Sequence, residues 1–488
     1  VSPPAAGSAL AEALAGGRFC HVVELVASGL TRESRVLEIA AGLARVPGVV
    51  AGSITSYAGG AIGQDPLRVG TAARARGLAP NVHLTCVSQD RHGLRKTLED
   101  MHALGLHDVF ALTGDYPRGD AAPAPIFDLD AVQLVALIAE LRRAGMPFHV
   151  AVAVSPFKYA EPDCRYQYLK LEKKVAAGAH VAITQVGWDA RKFAELKRYL
   201  DERGLHVPLL GNVYVLGPRA AARMATGQPP GCWVSPELLE IVLEESRAPD
   251  GGLAARLERA ARTVAVLRGL GYAGAYIGGT HDAAHVQRII RRAEELAPRW
   301  QDLAGELCFG APGGFYLDDA PAPPRAPAVS TRLPRLLDAL GALAPVTPGT
   351  ALGRVLRRAS AWIDRRPTAA RLLERSELAV KRPLFGCQAC GNCVLGHMEY
   401  VCPQTCPKQM RNGPCGGTHL GRCEVVDRPC VWVSVWERAS AAGRADGLRT
   451  YIPPPDRALQ GTSSWINYFL ERDRRPGRGG EPSAPPAQ

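Results

Sequence analysis

Eight of the 13 cysteines in this chain fall between residues 387 and 430, at Cys387, Cys390, Cys393, Cys402, Cys406, Cys415, Cys423 and Cys430. The first three make a C-x2-C-x2-C run of the kind that wraps a [4Fe–4S] cluster. Cys402 or Cys406, each followed by proline, can add a fourth thiolate. Eight thiolates would serve two such clusters. Four cysteines also satisfy tetrahedral zinc, so spacing leaves iron–sulfur and zinc both open. Disulfides are the poorer reading: the opening VSPPAAGSALAEALAGG has no basic n-region and no long apolar core. The expectation is a soluble cytoplasmic protein, where such a cysteine density binds metal.

A second set of reactive side chains lies in the first 200 residues, each at or near the end of an apolar run. Glu24 sits inside HVVELVA, and burial among valine and leucine would raise its carboxyl pKa and suit it to donate a proton. An ion pair with a lysine would explain the same residue structurally. Asp115 follows glycine in LTGDYP, where it is either a site carboxylate or ordinary turn chemistry. His83, in NVHLTCV, reads as a ligand contact or as a satisfied core histidine. Gln185 closes the run VAIT, as a ligand-contacting amide or one bonded to its own backbone.

These positions need a scaffold, and Leu169–Asp189 shows its unit. LKLEKKVAAGAHVAITQ gives a helix, a glycine stop at Gly178, and a short buried strand ending in a polar residue. Eight strand-like runs recur, at 21–27, 49–55, 81–87, 107–113, 148–154, 180–185, 207–213 and 273–279, separated by amphipathic helical stretches. Eight alternating β and α units predict a (β/α)8 TIM barrel. An open doubly wound sheet is the runner-up, weakened because no G-x-G-x-x-G follows the first strand. In such a barrel the loops after the strands build the active face.

The predicted organisation is a barrel over 1–300, Pro- and Arg-rich connectors and helices over 301–380, a cysteine-rich metal-binding domain over 381–445, and a tail over 446–488 with a disordered end. Hydrophobic residues make up 47% and charged residues 22%, an ordinary globular balance. The net charge is +11, of which residues 321–390 supply +8. The cysteine module lacks aromatics interleaved in a basic stretch, which argues against a nucleic-acid binder with basic flanks. No apolar run approaches the ~18 residues of a membrane span.

Taken together, Glu24, His83 in HLTC, GLHDVFALTGDYP around Asp115, and KKVAAGAHVAITQ from Lys173 to Gln185 resemble the methylenetetrahydrofolate reductase family. LFGCQACGNC, RNGPCGG and the closing CVW resemble the C-terminal domain that accompanies some members, and the small subunit of the acetogen reductase. The resemblance implies a flavin-containing barrel, with FAD more expected than FMN, that reduces 5,10-methylenetetrahydrofolate to 5-methyltetrahydrofolate. Electrons would come from NAD(P)H, ferredoxin or another redox partner, with iron–sulfur centres in the cysteine module passing them to the flavin; zinc there would be structural. It implies Glu24 as the acid that opens the methylene bridge, Asp115 and Gln185 as pterin contacts, and His83, Lys174 and Asp115 as flavin contacts. A homo-oligomer is expected.

Several positions depart from the family pattern. Thr113, Ser155 and Tyr159 stand where many members have arginine, tyrosine and histidine on the flavin, and Pro218 aligns with a folate-stacking phenylalanine. Lys158 is the nearest available replacement for the missing arginine charge. A flavin-free folate-binding methyltransferase or accessory electron-transfer subunit is the competing reading.

Overall fold

The computed structural model describes residues 7–28, 31–55, 63–117, 124–319, 330, 332–343, 346–347 and 349–473. The chain divides into two compact units. The first comprises residues 1–322 with 412–428; the second comprises 323–411 with 429–488. The boundary therefore differs from the sequence expectation, because residues 412–428, from the middle of the cysteine-rich stretch, belong with the barrel. The Pro-rich connector at 320–328 and the tail from 474 lie outside the described residues. No helix among the described residues is long and apolar enough to cross a membrane.

In the first unit eight parallel strands close on themselves: β1 Cys20–Leu25, β2 Val49–Ile54, β3 Pro80–Thr85, β4 Asp108–Leu112, β5 His149–Val154, β6 Val181–Thr184, β7 Leu209–Tyr214 and β8 Gly274–Gly278. Closure comes from β1 pairing with both β2 and β8. A parallel barrel buries both strand faces, which is why the strands read as Val-, Ala- and Ile-rich runs instead of alternating with polar residues. Inside, Val22, Ala51, Phe110, Ala151, Val181, Leu210 and Tyr276 pack together, and Leu10 and Ala13 of the helix Ala9–Ala15 join them. Outside, the strands pack against the helices through one continuous core that includes Val23, Ile54, Val82, Val109, Val150 and Ile277. Each such fully buried aliphatic side chain stabilises the fold by about 1.5–3 kcal/mol.

Register places the site. Glu24 pairs with Ser53, Val22 with Tyr276, and His83 with Phe110, so Glu24 and Ser53 lie side by side at one level of the barrel. The helix Glu161–Ala176 runs between β5 and β6 and starts well before the sequence pattern suggested. Gly178 follows it with φ +115°, as the glycine stop requires.

The second unit contains the helices Arg332–Leu343, Ala351–Asp364, Pro367–Phe385, Val431–Ala441 and Ser464–Phe469, with an irregular cysteine loop after Gly386. Polar side chains fasten that loop. Asn392 Nδ2 donates to the Asp456 oxygen at 3.0 Å, Asn467 Nδ2 to the Gly391 oxygen at 3.0 Å, and the Gly461 N–H to the Ala389 oxygen at 2.9 Å. Lys381 bridges Glu377 at 2.7 Å and Ser464 at 2.8 Å.

Candidate functional site

Glu24 reaches its position because β1 ends beside β8. Its carboxyl lies against Gly278, where a Cβ would come within 2.8 Å of Oε2, and it accepts a hydrogen bond from the Gly279 N–H. Burial raises its pKa and the Gly279 bond opposes the rise. No lysine is needed to explain it. Tyr214 and Tyr276 both feel its charge, and the Tyr276 hydroxyl hydrogen-bonds Ser53. Two tyrosines thus flank a carboxyl whose pKa is raised by desolvation, which favours its protonated, proton-donating form.

Asp115 and Gln185 converge on the same mouth. The thiol of Cys232 lies within electrostatic reach of Asp115, Lys158 and Glu24, and burial pushes it up to about 12. Next to it, a Cβ on Gly231 would approach Gln185 Nε2 to 3.3 Å. Gln185 Oε1 accepts from the Val186 N–H at 2.9 Å, so its oxygen is used locally while Nε2 faces the mouth. The local backbone bond of the sequence expectation is present at Oε1, and Nε2 is left for a ligand.

His83 and Lys174 are placed differently. His83 Nε2 pairs with Ser53 Oγ at 2.9 Å, its ring packs edge-on against Phe110, and burial drives its pKa down to about 3. It is a neutral histidine of the barrel interior. Lys174 Nζ donates to the Ala153 oxygen at 2.5 Å, and burial lowers its pKa to about 7. Beside it, Lys173 Nζ is buried with no hydrogen-bond partner, at a pKa also near 7, and Ser155 Oγ is unsatisfied too. Thr113 Oγ1 accepts from the Ala131 N–H, and Tyr159 donates to Asp189 at 3.0 Å.

Several polar groups on the β5 loop and the following helix are engaged by residues 412–421. Lys158 Nζ donates to the Gly416 oxygen at 2.7 Å and to the Thr418 oxygen. Gln167 Nε2 donates to the Cys415 oxygen at 2.8 Å, and Lys170 Nζ to the Pro414 oxygen at 2.8 Å. In the other direction the Gly421 N–H donates to Asp163 at 2.7 Å, and the Asn412 backbone and side-chain amides to Asp130 at 2.9 and 3.1 Å. Sequence reasoning placed this segment in a metal module and missed its role in the barrel. The glycines of RNGPCGG were its signal. Gly413 has φ +119° and lies against the Tyr166 ring, so it must lack a side chain, and Gly417 lies against the flexible end of Glu424.

In the second unit Cys387, Cys390, Cys393 and Cys402 line a single cavity of about 480 Å³, solvent mouth included, with Glu377, Asn392 and Arg411. Lys381 Nζ lies 3.6 Å from Cys393 Sγ. Among the described residues no three His, Cys, Asp or Glu side chains are gathered tightly enough for a single metal ion. Cys387, Cys390, Cys393 and Cys402 are the thiols that share this cavity. Cys415 and Cys423 belong to the barrel unit and do not line this cavity.

A family model for methylenetetrahydrofolate reductase matches residues 42–227. Over those residues the barrel is similar to the methylenetetrahydrofolate reductase family. A second model, methylene-tetrahydrofolate reductase C terminal, matches residues 367–458. The 5,10-methylenetetrahydrofolate reductase of Salmonella typhimurium is 30% identical over 138 residues, 28% of this chain and 44% of that one. A probable methylenetetrahydrofolate reductase (NADPH) of Caenorhabditis elegans is 27% identical over 177 residues, 34% of this chain and 26% of that one. The chain thus matches less than half the length of these curated relatives. A solved structure from Clostridium thermocellum, titled as an uncharacterised protein that binds two copies of 5-methyl-5,6,7,8-tetrahydrofolic acid, aligns at a TM-score of 0.42 with 10% identity. That alignment covers 60% of this chain and all of that one, and is too distant to bear on function. The reductase match contains His83, Asp115, Lys174 and Gln185 but not Glu24 or Cys232, so the case for Glu24 rests on its geometry.

Proposed function

We propose that the barrel binds a methylene-bridged reduced folate across the C-terminal ends of its strands and reduces it to the 5-methyl form. The observation that carries this reading is Glu24, a half-buried carboxyl whose pKa is raised by desolvation, bonded by the Gly279 N–H and near Asp115 and Gln185 around Cys232 and Gly231. In the reaction Glu24 passes its proton to a folate nitrogen and the methylene C–N bond at that nitrogen breaks. A hydride then adds to the resulting iminium carbon to give the methyl group, and the Glu24 carboxylate regains a proton from water. Asp115 and the Gln185 amide match the donors and acceptors of a pterin edge and hold it in register.

The hydride donor assigned here is a reduced nicotinamide, oxidised in the same step. Cys387, Cys390, Cys393 and Cys402 would hold a [4Fe–4S] cluster, which when bound would exchange single electrons with a partner protein and takes no part in the nicotinamide hydride step.

A second reading, a folate-binding methyltransferase without flavin, is favoured by the packing of residues 412–421 over the β5 loop and the helix Glu161–Ala176. One experiment separates the two. The full chain, purified without oxygen, is given 5,10-methylenetetrahydrofolate with NADH, NADPH or a reduced viologen, and the folates are resolved by chromatography. Formation of 5-methyltetrahydrofolate, lost in Glu24→Gln, supports reduction. No conversion with any donor, combined with methyl transfer from 5-methyltetrahydrofolate to a thiol, sinks it.

A further inference from the structure

We propose that residues 412–421 are a built-in occupant of the barrel face on which a family flavin would rest, and that this barrel carries no flavin dinucleotide. The inference goes beyond the reduction reading and does not depend on it. Two independent observations meet here. The first is substitution: of the six positions where the family resemblance expects flavin contacts, His83, Lys174 and Asp115 are kept, but three carry Thr113, Ser155 and Tyr159 in place of arginine, tyrosine and histidine. Thr113 and Tyr159 are spent on the Ala131 N–H and on Asp189. The second is occupancy. Lys158, Gln167 and Lys170, three of the donors on the β5 loop and the following helix, are bonded to the main-chain oxygens of Gly416, Thr418, Cys415 and Pro414.

The charge pattern of this face suits a peptide better than a diphosphate. A flavin dinucleotide presents only anionic oxygens at its diphosphate, and these want cations and N–H donors. Here Asp163 and Asp130 interleave with the lysines and are satisfied by the N–H groups of Gly421 and Asn412. A polypeptide offers oxygens and N–H groups alternately, which matches both signs. Asn412 is fully buried and Thr418 nearly so, so the segment is packed in place as well as tethered. The fit also fixes its sequence and that of the opposing loop. Gly413 is pinned by its φ of +119° and the Tyr166 ring, and a Cβ on Gly231 would meet the Gly416 oxygen at 2.5 Å. A flavin dinucleotide could reach Lys158 and Lys170 only by displacing the segment.

The test uses the full chain purified without oxygen. Flavin released by acid is quantified, FAD and FMN are titrated to 100 µM by fluorescence quenching, and amide exchange of the 412–421 peptide is followed with and without FAD. The expected result is less than 0.1 mol flavin per mol chain, no saturable quenching by FAD, and unchanged protection of the peptide. A stoichiometric flavin as isolated, or saturable FAD binding, would overturn the proposal whether or not the peptide loses protection. A second measurement reads the segment itself. Gly413→Ala should raise the alkylation rate of Cys415 at least tenfold, while Gly416→Ala, whose added Cβ meets nothing within 4 Å, should leave it unchanged. Equal rates in both variants would show that the segment is not seated as described. If the chain proves to hold flavin and still reduces the folate, this inference fails and the reduction reading stands; a flavin-free chain that reduces nothing gives the reverse.

Discussion

Lys158 donates to the main-chain oxygen of Gly416, 258 residues away along the chain, at 2.7 Å. Its ammonium is buried, which lowers its pKa, while Asp163 opposes that shift. Replacing it with alanine leaves the buried Thr418 oxygen without its donor, a loss of about 1–3 kcal/mol. Lys158→Ala should therefore lower the urea midpoint at pH 7 without changing the slope. A midpoint equal to that of the parent would show that the contact contributes nothing to stability.

The history of that residue shows what the sequence could convey. Eight strand-like runs foretold the eight strands to within a few residues, because a parallel barrel buries both faces and writes each strand as an uninterrupted apolar run. Glu24 and Gln185 were legible for the same reason, as polar residues in or at the end of such runs. Lys158 was legible only as a charge. Its partners are backbone atoms in a segment whose composition pointed to metal binding, and main-chain acceptors leave no residue-type signature. Tyr214, Tyr276 and Cys232 were missed because an aromatic or thiol in an apolar run looks like core until the register places it beside Glu24.

Glu24→Gln carries two expectations. Folate turnover should fall by roughly 10²- to 10⁴-fold, the usual scale for loss of a general acid, with KM little changed. Stability should move the other way. The Glu24 pKa is raised in the folded chain, so the folded state favours the protonated form, and stability is lost as pH climbs from the ordinary carboxyl range through the raised value. Glutamine removes that loss. The variant should melt higher than the parent at pH 8, and the gap should close below about pH 4.5. A gap that does not vary with pH would mean that Glu24 titrates normally.

Lys173 gives the opposite slope. Burial lowers its pKa to about 7 and Lys170 adds repulsion, while Asp130 opposes both; the buried Nζ has no hydrogen-bond partner. The unfolded chain then binds a proton more tightly than the folded one, so the destabilisation is full below pH 7 and fades as pH rises toward the ordinary lysine value. Lys173→Met should raise the melting temperature by several degrees at pH 6 and by clearly less at pH 9. Equal gains at both pH values would show that the ammonium is satisfied in solution.

The cysteine cavity makes the last prediction. Cys387, Cys390, Cys393 and Cys402 line one cavity, whereas Cys415 and Cys423 belong to the barrel unit. If the cavity holds a [4Fe–4S] cluster, the chain purified without oxygen should contain about four iron atoms per cluster. Serine is a poor thiolate substitute, and metal-site binding energy is folding energy, so Cys390→Ser and Cys402→Ser should both lose iron and soluble yield. Cys423→Ser should keep its iron. That contrast separates the cavity from the rest of the cysteine-rich stretch. Zinc without iron in the parent chain, or equal iron loss in Cys423→Ser and Cys402→Ser, would remove the cluster from this cavity.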